Sequence, residues 1–225
     1  MNGLPLRRHL LPMTTLLLVA AGCTDHPAAE TRLLVLDGIE VRLAELEPYV
    51  EFLLDSVPEG GRKTAVQRVL EEHLLPLRLA ERAFPQERAA ARAQAETLKQ
   101  VAGNAAELEQ HAAAMPTRRR ANYPRLHARL PIAMFLFKPE NLGAVSDVLA
   151  LPEGFALVGS FDLHDSVQAL QQSVDAVEVG FFTHGGAGFR DWLAAEQTRV
   201  AGKLTFVHPD YVFALPDWIK PLQKP

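Results

Sequence analysis

A single cysteine, Cys23, limits how this 225-residue chain can be stabilised. With no second thiol, the chain cannot form an internal disulfide or a metal site built from several cysteines. Burial of apolar side chains must therefore supply the stability of the fold. Hydrophobic residues make up 48% of the sequence, which is enough to build a sizeable core.

The segment before Cys23 is typical of a secretory signal peptide. It carries Arg7 and Arg8, continues with a short apolar run and ends in small residues. The run is too short to span a bilayer. The sequence AAGC at 20–23 resembles the lipobox of bacterial lipoproteins, which implies that residues 1–22 are removed and that the Cys23 thiol is acylated. An ordinary secretory signal followed by a free cysteine is the alternative.

Acylation at Cys23 implies near-permanent anchoring, because each buried CH₂ contributes about 0.8 kcal/mol. In lipoproteins of Gram-negative bacteria, an aspartate directly after the cysteine favours retention in the inner membrane, and Thr24 stands there in this chain. The resemblance therefore implies an outer-membrane lipoprotein facing the periplasm. Residues 23–31 are predicted to form a short polar tether, and no later apolar stretch is long enough for a second membrane span.

The charge of the chain restricts its partners. The formal net charge falls from −4 to −6 on loss of the signal, which carries two arginines and no acidic residue. An acidic protein has no electrostatic footprint for nucleic acid. The histidines show no metal-ligand spacing, and no nucleotide-binding motif is present. We therefore expect no metal, cofactor, nucleotide or nucleic acid.

The first half of the mature chain is predicted to form a hairpin followed by helices. Asp37-Gly38 favours a tight turn between two short strands, and apolar residues spaced by three and four predict a helix over 42–57. A second helix is predicted over 62–84, with a kink at Pro76. Residues 86–115 have few large apolar side chains, so they are predicted to form a projecting helical arm.

The second half has a more β-like pattern. Residues 115–124 contain two prolines and three consecutive arginines and are interpreted as a solvated domain boundary. Beyond them the pattern predicts strands over 130–137, 145–149, 155–161, 177–182 and 203–207, with helices over 165–176 and 189–200.

Three segments resemble the SurA/PrsA/PpiD-type periplasmic foldases. LLVLDGIEVRLAELEPYVEFLLDSV is similar to the opening of that family, and RVLEEHLLPLRLAERAF to its next helix. GFRDWLAAEQTRVAGKLTFVHPDYV is similar to the helix and strand that return to the N-terminal module. The likeness covers somewhat over half of the mature chain and implies a chaperone module built from both ends of the sequence.

The segment between these parts resembles a shortened parvulin isomerase domain. LGAVSDVLALPEGFALVGSFDL is similar to the closing section of parvulins, but Ala156 stands where that family has a histidine. Ala133 and Met134 stand where its other histidine is expected. The resemblance therefore implies a degenerate domain with no catalytic residue, for which His127 and His164 are the only candidate substitutes.

These observations predict an α+β, mainly α protein that acts as a membrane-anchored, ATP-independent periplasmic holdase for unfolded or extended polypeptides. An active prolyl isomerase and a structural accessory lipoprotein of an envelope complex are the alternatives. The candidate peptide-binding residues are Phe52, Leu53, Leu74, Phe84 and Trp192. The predicted organisation is a signal peptide (1–22), a lipidated tether (23–31), a SurA-like helical module (32–115, completed by 189–225) and a reduced parvulin-like segment (116–188).

Overall fold

The computed structural model describes residues 31–57, 60–184 and 186–219. The predicted signal peptide, the predicted lipidation site Cys23 and nearly all of the predicted tether lie outside these residues. The fold is α+β and mainly α, with about 51% helix and 24% strand. Within the described residues, no helix is long and apolar enough to cross a membrane.

A small sheet joins the two ends of the described chain. Strands β1 (Arg32–Leu36) and β2 (Ile39–Arg42) form an antiparallel hairpin, and β7 (Leu204–Val207) pairs antiparallel with the other edge of β1. Asp37 and Gly38 both have positive φ, of 50° and 80°, as a tight two-residue hairpin turn requires. The strand order is therefore β2-β1-β7.

The predicted first two helices are present. Helix α1 (Leu43–Ser56) begins where the Glu45 carboxylate accepts the backbone N–H of Arg42. Helices α2 (Gly61–Val69) and α3 (Leu75–Ala83) are joined by a π-helical turn over Leu70–Leu74. Pro76 cannot donate a backbone hydrogen bond, and such a turn accommodates the missing donor without ending the helix.

Helix α7 (Gly186–Val200) returns the chain to β7 and packs against α3. A six-residue 3₁₀ segment (Pro209–Ala214) follows β7 and contacts α2. These elements share one hydrophobic core with the hairpin and α1–α3, and its fully buried members include Leu33, Leu34, Leu46, Leu70, Leu75, Leu79 and Val200.

A four-stranded antiparallel sheet forms the second layer. Its strands are β3 (Arg118–Pro124), β4 (Leu149–Leu151), β5 (Gly154–His164) and β6 (Ser173–Phe182), in the order β3-β6-β5-β4. Helices α4 (Pro85–Val101) and α5 (Ala105–His111) cover one face, and α6 (Leu130–Leu136) covers the other. Because both faces are covered, residues 154–160 of β5 are all buried.

Several local predictions for the second half are wrong. The apolar run 130–137 forms α6 instead of a strand, because Pro131 starts a helix well and a continuous apolar run does not distinguish the two structures. The arginine-rich segment interpreted as a linker is the edge strand β3. Residues 165–176 contain a 3₁₀ turn and the start of β6 in place of a helix, and the strand expected over 145–149 is β4, a little later.

The predicted projecting arm also differs from the structure. Residues 86–115 form α4 and α5, which lie flat on the four-stranded sheet. Small side chains allow this contact: Ala91, Ala95, Ala105 and Ala112 are buried, and α5 approaches β5 at Gly159. A helix with few large side chains can still pack closely on a sheet when the sheet residues beneath it have large side chains.

Candidate functional site

A cleft lies where the bent α2–α3 helix, α7 and the β4–β5 turn meet. We call it the interface cleft; its volume is about 700 Å³, and it is lined by Glu71, Glu72, Pro76, Pro152, Glu153, Phe189, Arg190 and Leu193. The cleft is therefore bounded by both packing layers of the molecule. Concave sites of this size are the usual location of ligand binding.

Local structure explains the lining. Glu71 and Glu72 are exposed on the π-helical turn that precedes Pro76. Phe189 and Leu193 are four residues apart, so they lie on the same face of α7. Pro152 and Glu153 occupy the turn that joins β4 to β5. The result is a cleft with proline, phenylalanine and leucine side chains and three carboxylates opposed by one guanidinium, that of Arg190.

An aromatic cluster adjoins the cleft through Phe189. The ring centroids of Phe189 and Trp192 are 5.4 Å apart, those of Trp192 and Phe84 are 4.6 Å apart, and those of Phe84 and His184 are 4.2 Å apart. The Nδ1 atom of His184 is buried and has no hydrogen-bond partner among the described residues. Two predicted peptide-binding residues, Phe84 and Trp192, are thus in contact, and both remain partly exposed.

The other three predicted binding residues lie elsewhere. Leu74 and Leu53 are 3% and 5% exposed and belong to the core of the helical layer, so little of either side chain is available to a ligand. Phe52 is partly buried between that core and α6, with the Arg125 guanidinium 5.0 Å from its ring centroid. These three residues fill space between elements and do not line the interface cleft.

A buried ionic network supports the floor of the cleft. The Arg129 guanidinium forms ion pairs with Glu153 and with Glu178, and Glu178 is only 6% exposed. The Tyr123 hydroxyl donates to Glu178 at 2.9 Å. Burial opposes the charge on Arg129, but the two carboxylates outweigh it and raise the Arg129 pKa. The pKa of Tyr123 is also raised, first by burial and then by the charge of Glu178.

Two further buried polar groups join the helices to this region. Arg88, at the start of α4, is 4% exposed and donates from Nη1 to the carbonyl oxygens of Leu151 and Pro152, at 3.0 and 2.9 Å. His73, on the π-helical turn, is 2% exposed, and its Nε2 lies 2.9 Å from the Tyr49 hydroxyl. Burial, assisted by the charge of Arg78, lowers the pKa of His73 to about 4. His73 is therefore neutral at pH 7.

The two candidate catalytic histidines do not line the cleft. His127 is exposed in the turn after β3, where its backbone N–H donates to the Pro124 carbonyl. His164 is exposed at the end of β5, with Nε2 2.9 Å from Asp175 Oδ2. Pro124 and His164 flank Ser173 in the sheet, so their backbones are two strand spacings, or about 10 Å, apart.

Two of the three positions that the parvulin resemblance associates with histidines, Ala156 and Ala133, are occupied by core residues. Ala156 is fully buried on the face of β5 that α6 covers, and Ala133 of α6 is buried in the same cluster. Met134 lies on the same helix and is partly exposed. Because α6 lies over Ala156, the sheet offers no open pocket at that point.

The sequence pattern does not predict the ionic network or most of the residues that line the cleft. The three charged residues are far apart along the chain: Glu153 lies in the β4–β5 turn, Glu178 in β6 and Arg129 directly before α6. Only tertiary packing brings them together. The described part of the chain contains no group of three or more metal-ligating side chains suited to a metal ion. The chain matches no protein-family model, no curated protein and no solved structure.

Proposed function

We propose that this protein is a membrane-anchored, ATP-independent chaperone of the cell envelope that holds unfolded or extended polypeptide segments in the interface cleft. The single observation that carries the proposal is the cleft itself, which is open, mainly apolar and bounded by two separately packed layers. A client that buries about 300 Å² of apolar surface there gains roughly 7 kcal/mol before ordering costs. Such weak binding suits a holdase, because a tightly bound client would not be released.

The charge of the lining indicates which clients are favoured. Glu71 and Glu72 of the π-helical turn are exposed, and Glu153 of the β4–β5 turn is partly neutralised by Arg129. Extended segments that carry lysine or arginine beside aliphatic or aromatic residues complement this arrangement, because opposite charges attract and steer the encounter. Strongly acidic segments do not.

The burial of Ala156 beneath α6 favours holdase activity over isomerase activity. Catalysis of prolyl isomerisation lowers a barrier of about 20 kcal/mol, which requires polar groups placed around a twisted amide in an accessible pocket. In this chain α6 covers the corresponding face of the sheet, and His127 and His164 are exposed at its far end.

The test uses the full mature chain reconstituted in nanodiscs, with reduced lysozyme as a basic client. We expect suppression of aggregation and no acceleration of a proline-limited refolding reaction. Leu193→Ser and Glu71→Lys should each weaken suppression severalfold. Their matched controls, Leu170→Ser in the exposed β5–β6 loop and Glu51→Lys on the exposed face of α1, should not.

Thermal unfolding of each variant separates loss of binding from loss of folding, since Leu193 also packs against the helical core. Equal suppression of aggregation by all four variants would show that the interface cleft does not bind the client. Faster refolding that is lost on changing His127 or His164 would establish the isomerase alternative instead. A stable stoichiometric complex with one envelope protein, without general suppression, would favour a structural accessory role.

A further inference from the structure

A second surface lies at the opposite end of the helical layer and takes no part in the interface cleft. The 3₁₀ segment Pro209–Ala214 exposes two adjacent apolar side chains, Val212 at 47% and Phe213 at 60%. Tyr211 beside them is partly exposed, and its hydroxyl lies 3.4 Å from Arg62 Nη2. Exposed aromatic and aliphatic side chains next to basic ones are typical of surfaces that contact lipid headgroups.

The basic residues at this surface stand at the start of α2. A shallow groove of about 380 Å³ separates them from the 3₁₀ segment, and it is lined by Arg62, Lys63, Val66, Asp210, Tyr211, Phe213 and Ala214. Arg62 forms an ion pair with Glu47. Lys63 is exposed and forms no ion pair with any residue that the structure describes. The ammonium group of Lys63 therefore remains available to an anionic group outside the protein.

The position of the surface relative to the start of the fold supports a membrane as its occupant. The backbone N–H of His208 donates to the Leu33 carbonyl at 2.8 Å, so the 3₁₀ segment begins beside the first residues of β1. Five residues in 3₁₀ conformation advance about 10 Å, so Phe213 lies within roughly 20 Å of Thr31, where the described chain begins. The eight residue-to-residue steps from Cys23 to Thr31 reach at most about 29 Å.

We propose that Val212 and Phe213, with Tyr211 and Lys63, form a membrane-contact surface that inserts at the headgroup level of the bilayer carrying the lipid anchor. This inference rests on the membrane anchoring in the proposed function. A chain tethered so close to this surface presents it to the bilayer at high effective concentration, so weak apolar contact is sufficient to orient the protein. The interface cleft then lies away from the lipid.

The test places one fluorophore on the mature, anchored chain through Phe213→Cys, in phosphatidylcholine vesicles with brominated acyl chains. The matched control is Phe182→Cys, which replaces a phenylalanine that is 42% exposed at the end of β6 in the other sheet. We expect quenching at position 213 to be at least about twofold stronger than at 182, since insertion brings the label within reach of the acyl chains. Adding phosphatidylglycerol should increase quenching at 213, and Lys63→Glu should remove that increase.

Each result separates this inference from the function on which it rests. The intact mass reports acylation of Cys23, and the aggregation assay reports chaperone activity; neither depends on Phe213. Equal quenching at 213 and 182 in an acylated chain would overturn the membrane-contact surface alone. A label at 213 that is shielded from water but not quenched by bromine would assign the surface to a second copy or a protein partner, which would also overturn the proposal.

Discussion

The close approach of α5 to β5 at Gly159 predicts a measurable loss of stability from one added methyl group. A Cβ atom added at Gly159 of β5 would lie 2.8 Å from Ala105 Cα, 2.9 Å from Ala105 Cβ and 3.2 Å from Val177 Cγ1. Carbon atoms pack best at about 3.5–4.0 Å. Gly159→Ala therefore forces α5 away from the sheet by roughly 0.6–1 Å.

Overpacking of this kind costs about 1–3 kcal/mol. The alanine also lowers the conformational entropy of the unfolded chain, which stabilises the folded state by about 0.4–1 kcal/mol. The net expectation for Gly159→Ala is a loss of about 1–2 kcal/mol in the free energy of unfolding, and Gly159→Val should lose more. Ala105→Gly in the same chain should restore part of the loss, because the clash involves the Ala105 Cβ directly.

Urea unfolding followed by circular dichroism measures the effect. Gly202→Ala is the control, because a Cβ there meets no atom within 4 Å, and this variant should be neutral or slightly stabilising. If Gly159→Ala is as stable as the parent chain, α5 does not lie on β5 as described, and the packing argument fails.

Three further predictions concern polar and backbone features. Tyr123→Phe leaves one oxygen of buried Glu178 without its partner and should cost about 1–3 kcal/mol of unfolding free energy; an unchanged denaturation midpoint would contradict this. The folded-state pKa of His73, about 4, lies below its unfolded value of 6.5, so the unfolded chain binds more protons and stability falls as pH drops from 6.5 towards 4. Between pH 7 and 4.5 this residue should account for a loss of stability on the order of 2 kcal/mol, and His73→Gln should lack that part of the pH dependence; identical pH profiles would refute it. Gly38→Ala should cost about 1 kcal/mol through its φ of +80° alone, since no atom lies within 4 Å, and thermal unfolding of the variant with no loss would show that the hairpin turn relaxes.

The elements that the sequence predicts well are those with a local physical signal. Asp37-Gly38 specifies a tight turn, apolar residues at three- and four-residue spacing specify α1, and Pro76 marks an irregular turn within a long helix. In each case the residues that decide the structure lie within one or two turns of each other. The mainly α, α+β class follows from the sum of such signals.

The elements that the sequence predicts badly are decided by distant residues. The run 130–137 is apolar throughout, and only the sheet on which it packs distinguishes a helix from a strand. Strand β3 reads as a polar linker because it is an edge strand, yet Tyr123 anchors it in the core. The alanines of α4 become core residues only because β5 and β6 supply the large side chains opposite them.

In the candidate site, too, the sequence predicts what local residues determine and does not predict what distant residues determine. The sequence identifies Phe84 and Trp192 as apolar residues of predicted helices, and the two side chains are in contact next to the cleft. Arg129 could not be linked to Glu153 and Glu178 from the sequence, because 24 and 49 residues separate them along the chain. Tertiary packing of the start of α6 against the β4–β5 turn and β6, which no local pattern encodes, brings these charges together.

The position of β7 beside β1 has a consequence for biogenesis. Strands β1 and β2 are synthesised long before β7, so the third strand of this sheet is delivered only when residues 204–207 have followed. One edge of β1 stays open until then, and open edges invite pairing with other chains. Completion of this sheet is thus tied to synthesis of all the residues between β2 and β7, and a chain terminated before residue 204 would expose one edge of β1 in place of a closed sheet.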